Sequence, residues 1–115
     1  MPLLMLKTTV PVPADKRADL VTSLSRLLAE CAGKPESYVM ITLEQADGCF
    51  DGKVCPLAFA DVRGIGGLSK SVNARVAKAL CDLLKSKLGI PGDRVYATFT
   101  DVQASAWGWN GGVFG

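Results

Sequence analysis

The sequence predicts an α/β fold of the α+β kind: two β-α-β repeats forming one four-stranded mixed sheet, with two helices on one face. Three observations predict it. Two stretches with leucine at helical spacing, around Leu24 and around Leu80, each lie between runs of β-forming residues. Gly33, Pro35, Val39 and Thr42 recur as Gly89, Pro91, Val95 and Thr98 at one constant offset, which also carries Leu24, Leu27 and Leu28 onto Leu80, Leu83 and Leu84. Finally, 115 residues leave room for a single core. The chain therefore reads as one domain, 1–115, with pseudo-repeat units of about 1–56 and 57–115.

The first strand is expected over Pro2–Val10, opened by a proline because that residue lacks a ladder N–H. Pro11-Val12-Pro13 stops it. A helix follows from about Ala14 to Ala32, with Leu20, Leu24, Leu27, Leu28 and Cys31 on one face and Asp15 as its expected cap. Gly33 ends this helix and Pro35 prevents it from restarting. Tyr38–Leu43 reads as a strand, and Asp47-Gly48 and Asp51-Gly52 are turn signals around a short Cys49-Phe50 piece. The plan then repeats. Leu57–Val62 is a strand, Gly64–Gly67 a loop and Ser69–Leu88 a helix, with Val72, Val76, Leu80, Leu83, Leu84 and Leu88 on its apolar face. Gly89 ends it, Pro91-Gly92 turns the chain, and Val95–Phe99 is the last long strand. In each unit a helix crosses between two parallel strands. With both helices on one face, the opposite sheet face is expected to be bare and apolar, and identical copies are the simplest cover for it.

The composition excludes several function classes. A net charge of +2 on scattered Lys and Arg gives no nucleic-acid patch. No apolar run can span a membrane, and no signal peptide is visible. The absence of histidine removes His-based triads and the usual zinc sites. Cys31, Cys49, Cys55 and Cys81 have no CxxC spacing and are expected as free thiols in a reducing compartment, without a bound metal. No cofactor is implied.

Few residues remain to carry chemistry. Pro2 follows Met1, which is commonly trimmed before proline; a freed Pro2 would carry a secondary amine, usable as a base where its surroundings disfavour the charged form. On position alone, a proline that merely opens a strand is the favoured explanation, because many proteins begin Met-Pro. Gly64-Ile65-Gly66-Gly67-Leu68-Ser69 follows a strand and opens a helix, but Ser69 replaces the third glycine of a dinucleotide loop; backbone N–H groups facing an anion fit better. Lys34 reads as a solvated helix-end lysine, and the aromatic tail from Trp107 to Phe114 as a packing plug.

Taken together, Met1-Pro2, Thr8, Val10, Gly33-Lys34-Pro35 with Tyr38, Gly64-Ile65-Gly66, Asn73, Asp93-Arg94-Val95-Tyr96 and Gly108-Trp109-Asn110-Gly111 with Phe114 form a specific pattern. Over nearly its whole length the chain resembles the macrophage migration inhibitory factor (MIF) family of the tautomerase superfamily. The resemblance implies the tautomerase/MIF fold, a homotrimer whose sheets surround a central channel, and keto–enol tautomerase sites at the subunit boundaries. By position, Pro2 would be the catalytic acid and base, and Lys34 and the N–H of Ile65 would hold the substrate carboxylate. Tyr96 would reach in from the neighbouring subunit, and Tyr38, Trp109 and Phe114 would wall the pocket. The implied partner is a small aromatic 2-oxo acid of the phenylpyruvate type, or dopachrome.

The chain departs from the family pattern at three places. Thr98 stands where the vertebrate cytokine has an asparagine that contacts the distal end of the substrate, and Trp107 replaces a smaller aliphatic residue at the pocket mouth. Leu57 and Ala60 occupy the positions of the vertebrate Cys-x-x-Cys, which argues against thiol–disulfide oxidoreductase activity. Two function classes follow from the resemblance: a phenylpyruvate or dopachrome tautomerase, and a secreted signalling ligand for a cell-surface receptor with a vestigial pocket. The expected location is the cytoplasm, leaderless secretion being open to this family.

Overall fold

The computed structural model describes residues 1–115. Its elements run β1 (Leu3–Thr8), α1 (Ala14–Ala32), β2 (Met40–Gln45), β3 (Cys49–Phe50), β4 (Lys53–Val54), β5 (Ala58–Gly64), α2 (Lys70–Leu88), β6 (Val95–Asp101), β7 (Gly108–Trp109) and β8 (Gly112–Val113). Strands β2-β1-β5-β6 form one sheet; the β1/β2 and β5/β6 pairs are parallel and the central β1/β5 pair antiparallel. Each half is thus a β-α-β unit, and the mixed four-stranded sheet is the expected one.

Alternation along the strands decides which face is covered. Leu4 and Leu6 of β1 and Ala58, Ala60 and Val62 of β5 point towards the helices and are buried. Against them pack Leu20, Leu24 and Leu28 of α1 and Val76, Leu80 and Leu84 of α2, all at i, i+4 spacing. Leu27, Cys31 and Leu83 lie one step round these stripes and are only partly buried.

Both helices stop on left-handed glycines, Gly33 (φ 63°) and Gly89 (φ 69°), where a side chain would be strained. Their starts differ. Asp15 does not cap α1; the N-cap position is Pro13, which has no side chain able to accept a bond, and Asp15 sits inside the first turn. Helix α2 is capped by Ser69, whose hydroxyl accepts from the Val72 N–H at 3.3 Å. Ser69→Ala is expected to cost about 1 kcal/mol, measured as a lower urea midpoint at unchanged m-value.

All four strands of the sheet have boundaries that differ from the sequence expectation. Strand β1 ends at Thr8 because that hydroxyl donates to the Leu57 carbonyl (2.9 Å) and accepts the Val10 N–H (3.1 Å), turning the chain. Tyr38 lies in a 3₁₀ turn, Glu36–Tyr38, and β2 begins only at Met40, whose N–H donates to the Pro2 carbonyl at 3.1 Å. Strands β5 and β6 run on to Gly64 and Asp101, where the Val102 N–H donates to the Gly64 carbonyl at 2.8 Å.

The face away from the helices is bare, but it is not the apolar surface expected. The register sets Met40 beside Leu3 and Arg63, Thr42 beside Met5, Asp61 and Thr98, and Glu44 beside Lys7, Phe59 and Tyr96. The run Leu3–Leu6 is apolar on both faces, but the alternation continues into Lys7 and its charged neighbours. Arg63 and Asp61 pair there at 3.1 Å.

Candidate active site

One cleft of about 340 Å³ opens at the β1 end where Pro2 sits, within the range of small-molecule sites. Pro2, Tyr38, Trp107, Trp109 and Phe114 line it, together with Leu3 and Met40. These residues come from three separated segments: the chain start, the turn before β2, and the tail. Pro2 is buried, while Tyr38 is 48% and Trp109 57% exposed.

The tail reaches the cleft as a hairpin. Asn110 (φ 50°) and Gly111 (φ 80°) are both left-handed, which gives β7 and β8 a two-residue turn of the type that favours Asn-Gly. The Phe114 N–H donates to the Trp107 carbonyl at 3.2 Å. Trp109 thereby stacks on Phe114 at 5.7 Å and meets Tyr38 edge-on at 6.4 Å. The plug read from the sequence is an organised aromatic wall, and its signal, Asn110-Gly111, was present in the chain.

Lys34 follows the α1 terminator and is half-buried. It takes part in none of the ion pairs, which join Lys53–Asp51, Arg63–Asp61, Lys78–Asp82 and Lys87–Asp19. It stands near the terminal amine: burial first, and the Lys34 charge second, hold the Met1 amine below its ordinary value. Its stem lies against the Gly64–Gly67 loop, since a Cβ at Gly67 would come within 3.0 Å of Lys34 Cε. Lys34 and the loop containing Ile65 are therefore together, beside the cleft. Asn73 ties the loop to α2 by donating to the Leu68 carbonyl at 3.4 Å.

Tyr96 and Thr98 are elsewhere. Both lie on edge strand β6, on the bare face, two strands away from β1. Tyr96 is 65% exposed and its register row holds Lys7, at the end of β1 opposite Pro2. The β3–β4 hairpin supports it: Phe50 packs on the Tyr96 ring at 5.2 Å, and the Arg94 guanidinium lies 4.9 Å over Phe50. Within one chain, then, Pro2 and the aromatic wall share a cleft, Lys34 and the Ile65 loop lie together near the chain start, and Tyr96 and Thr98 do not join them.

A larger groove, about 660 Å³, runs between the start of α1 and the end of α2. It has no aromatic wall, and its Lys87 is already paired with Asp19 at 2.6 Å.

The comparisons agree with this architecture. The family model described as macrophage migration inhibitory factor matches residues 1–115. The solved homologue from Prochlorococcus marinus superposes with a TM-score of 0.93 at 41% identity, covering 98% of this chain and 99% of that one. The homolog from Trichuris trichiura is 35% identical over 115 residues, covering 99% of this chain and all of its own length. The factor from Rattus norvegicus is 33% identical over 115 residues, covering 99% of both. A match that runs from the first residue to the last, on a sheet order and cleft already seen in the structure, means that the chain belongs to the macrophage migration inhibitory factor family.

Proposed function

We propose that the protein is a keto–enol tautomerase acting on phenylpyruvate-type 2-oxo acids, and on dopachrome-type substrates of similar shape, with Pro2 as acid and base once Met1 is removed. The observation that carries this reading is the meeting of Pro2 and an aromatic slot in one cleft, with an unpaired lysine close enough to the chain start to act on its amine. A phenylpyruvate-like molecule needs those three things: a base at the carbon next to the carbonyl, an apolar slot for its ring, and a cation for its carboxylate.

In enolisation the neutral Pro2 amine takes a proton from C3. The C–H electron pair becomes the C2=C3 double bond, and the carbonyl oxygen gains the negative charge and then a proton. Ketonisation reverses these steps, so nothing is consumed. Lys34 and the Ile65 N–H hold the carboxylate, and Tyr38, Trp107, Trp109 and Phe114 exclude water around the ring. Burial and the Lys34 charge favour the neutral, basic amine, as they do for the terminal amine of Met1. The test is ketonisation of phenylpyruvate enol by purified protein whose N-terminus has been sequenced. No rate above buffer with Pro2 at the terminus sinks the reading.

The site is completed in a homotrimer, with Tyr96 and Thr98 supplied by a neighbouring subunit. Their exposed position on an edge strand far from the same chain's Pro2 supports this. So does the mixed polar and apolar bare face, which suits sheets around a wet channel. Light scattering is expected to give about three times 12.1 kDa; a monomer at micromolar concentration would count against the shared site.

Thr98 sets a preference within the substrate class. Its hydroxyl is shorter than an asparagine amide, so a ring hydroxyl on the substrate loses a direct bond or needs a bridging water. Trp107 adds apolar surface at the cleft. Phenylpyruvate is therefore favoured over its 4-hydroxy form. Thr98→Asn is expected to move the kcat/KM ratio of the two by about 1 kcal/mol towards the hydroxylated substrate. An unmoved ratio means that Thr98 does not face the ring.

Whole-length similarity to the rat factor supports a second reading, a signalling ligand for a cell-surface receptor. Cell binding retained after the Pro2 amine is blocked would separate that role from catalysis.

A further inference from the structure

Two consecutive loop residues, Gly66 (φ 70°) and Gly67 (φ 77°), are left-handed, but their surroundings differ. A Cβ at Gly66 would meet nothing within 4 Å. A Cβ at Gly67 would lie 3.0 Å from Lys34 Cε and 3.5 Å from Lys34 Nζ. The first distance is closer than ordinary van der Waals contact, so one partner must yield.

The partner that yields is Lys34. The loop is fixed beyond Gly67, where Leu68 accepts from Asn73, Ser69 caps α2, and the Asn73 N–H donates to the Ser69 carbonyl at 2.8 Å. Lys34, by contrast, is held by no ion pair, and its end is a flexible stem. We propose that Gly67 is a positioning residue for the tautomerase site: its missing side chain lets the Lys34 stem lie on the loop, so that the Lys34 ammonium and the loop N–H groups converge on one carboxylate. The inference rests on the carboxylate-binding role proposed for Lys34. A glycine at 66 serves the backbone alone; a glycine at 67 serves both the backbone and the lysine.

Gly66 is the internal control, because Gly66→Ala imposes the same left-handed strain without touching Lys34. In Gly67→Ala, KM for phenylpyruvate is expected to rise about tenfold over that of Gly66→Ala, with kcat nearly unchanged, since a displaced cation loses a charge-assisted contact. In a Lys34→Ala background the two alanine variants should have the same KM.

Lys34 can also be located without substrate. It depresses the Met1 amine, so NMR titration of that amine in protein that keeps Met1 should shift in Gly67→Ala but not in Gly66→Ala, and in neither once Lys34 is alanine. Equal KM values and equal amine titrations in the two glycine variants overturn the inference. If wild type does not turn phenylpyruvate over but the amine titration still separates the variants, the positioning role stands and the tautomerase reading fails. If turnover is normal and the variants are indistinguishable, the failure belongs to Gly67 alone.

Discussion

Locking the Pro2 nitrogen into an amide is expected to lower kcat/KM for phenylpyruvate by roughly 10²–10⁴-fold, the usual range for losing a positioned acid–base group. The change is an alanine inserted between Met1 and Pro2, so that trimming frees the alanine and leaves Pro2 acylated. An amide nitrogen has no basic lone pair, and the new amine lies one residue further out. The fold should persist. Pro2 contributes to the sheet through its carbonyl, which accepts from Met40, and proline has no N–H to lose. Unchanged circular dichroism and unchanged mass in light scattering are the controls. Full activity with Pro2 acylated would remove Pro2 from the mechanism.

The same amine fixes the direction of the pH profile. The neutral form is the base, so kcat/KM should rise with pH through the amine pKa and then level off. Burial, and then Lys34, lower the Met1 amine, and a Pro2 amine freed one residue further in would meet the same two influences. The midpoint of the rise is therefore expected below the ordinary α-amine range of about 7.7–8.0. The linkage to stability has the same sign. A pKa lower in the folded than in the unfolded state means that the unfolded chain binds more protons between the two values, so stability rises with pH across that window.

What the sequence could and could not announce follows from range. Helix bounds were legible because their causes are local: leucine spacing, and a glycine at each end that tolerates a left-handed backbone. Strand bounds were less so, because they depend on partners. Met40, not Tyr38, starts β2, since the ladder begins where Pro2 offers its carbonyl. Asp15 had the chemistry of a cap but lies two residues too late, Pro13 holding the cap position. The bare face is less apolar than expected because Lys7, Asp61 and Arg63 share its alternation with Leu3 and Met5. At the site, Pro2, Lys34 and the aromatic tail were singled out as residues, but their meeting is tertiary. The contact between Gly67 and Lys34 leaves no trace in the spacing of either residue.

Lys34→Ala is expected to raise KM for phenylpyruvate by roughly 10- to 150-fold, with little change in stability. A charge-assisted contact to a carboxylate is worth about 1.5–3 kcal/mol, and each 1.4 kcal/mol is about tenfold. Stability should move by less than about 0.5 kcal/mol, because the lysine is half-buried and makes no ion pair. A second effect separates a site lysine from a helix-end one. Lys34 lowers the Met1 amine by charge repulsion, and a freed Pro2 amine would feel the same charge, so removing Lys34 should move the acid limb of kcat/KM to higher pH. Burial, the larger cause, remains, so the limb should not return all the way to the ordinary α-amine range. Lys34→Arg tests the geometry. It keeps the charge, and with it most of the pH effect, but a planar guanidinium is bulkier than an ammonium over the Gly67 backbone. A KM between those of wild type and Lys34→Ala, with the wild-type acid limb, is the expected result. If KM and the acid limb are both unaltered in Lys34→Ala, the lysine only solvates the end of α1, and the carboxylate must be held by other groups.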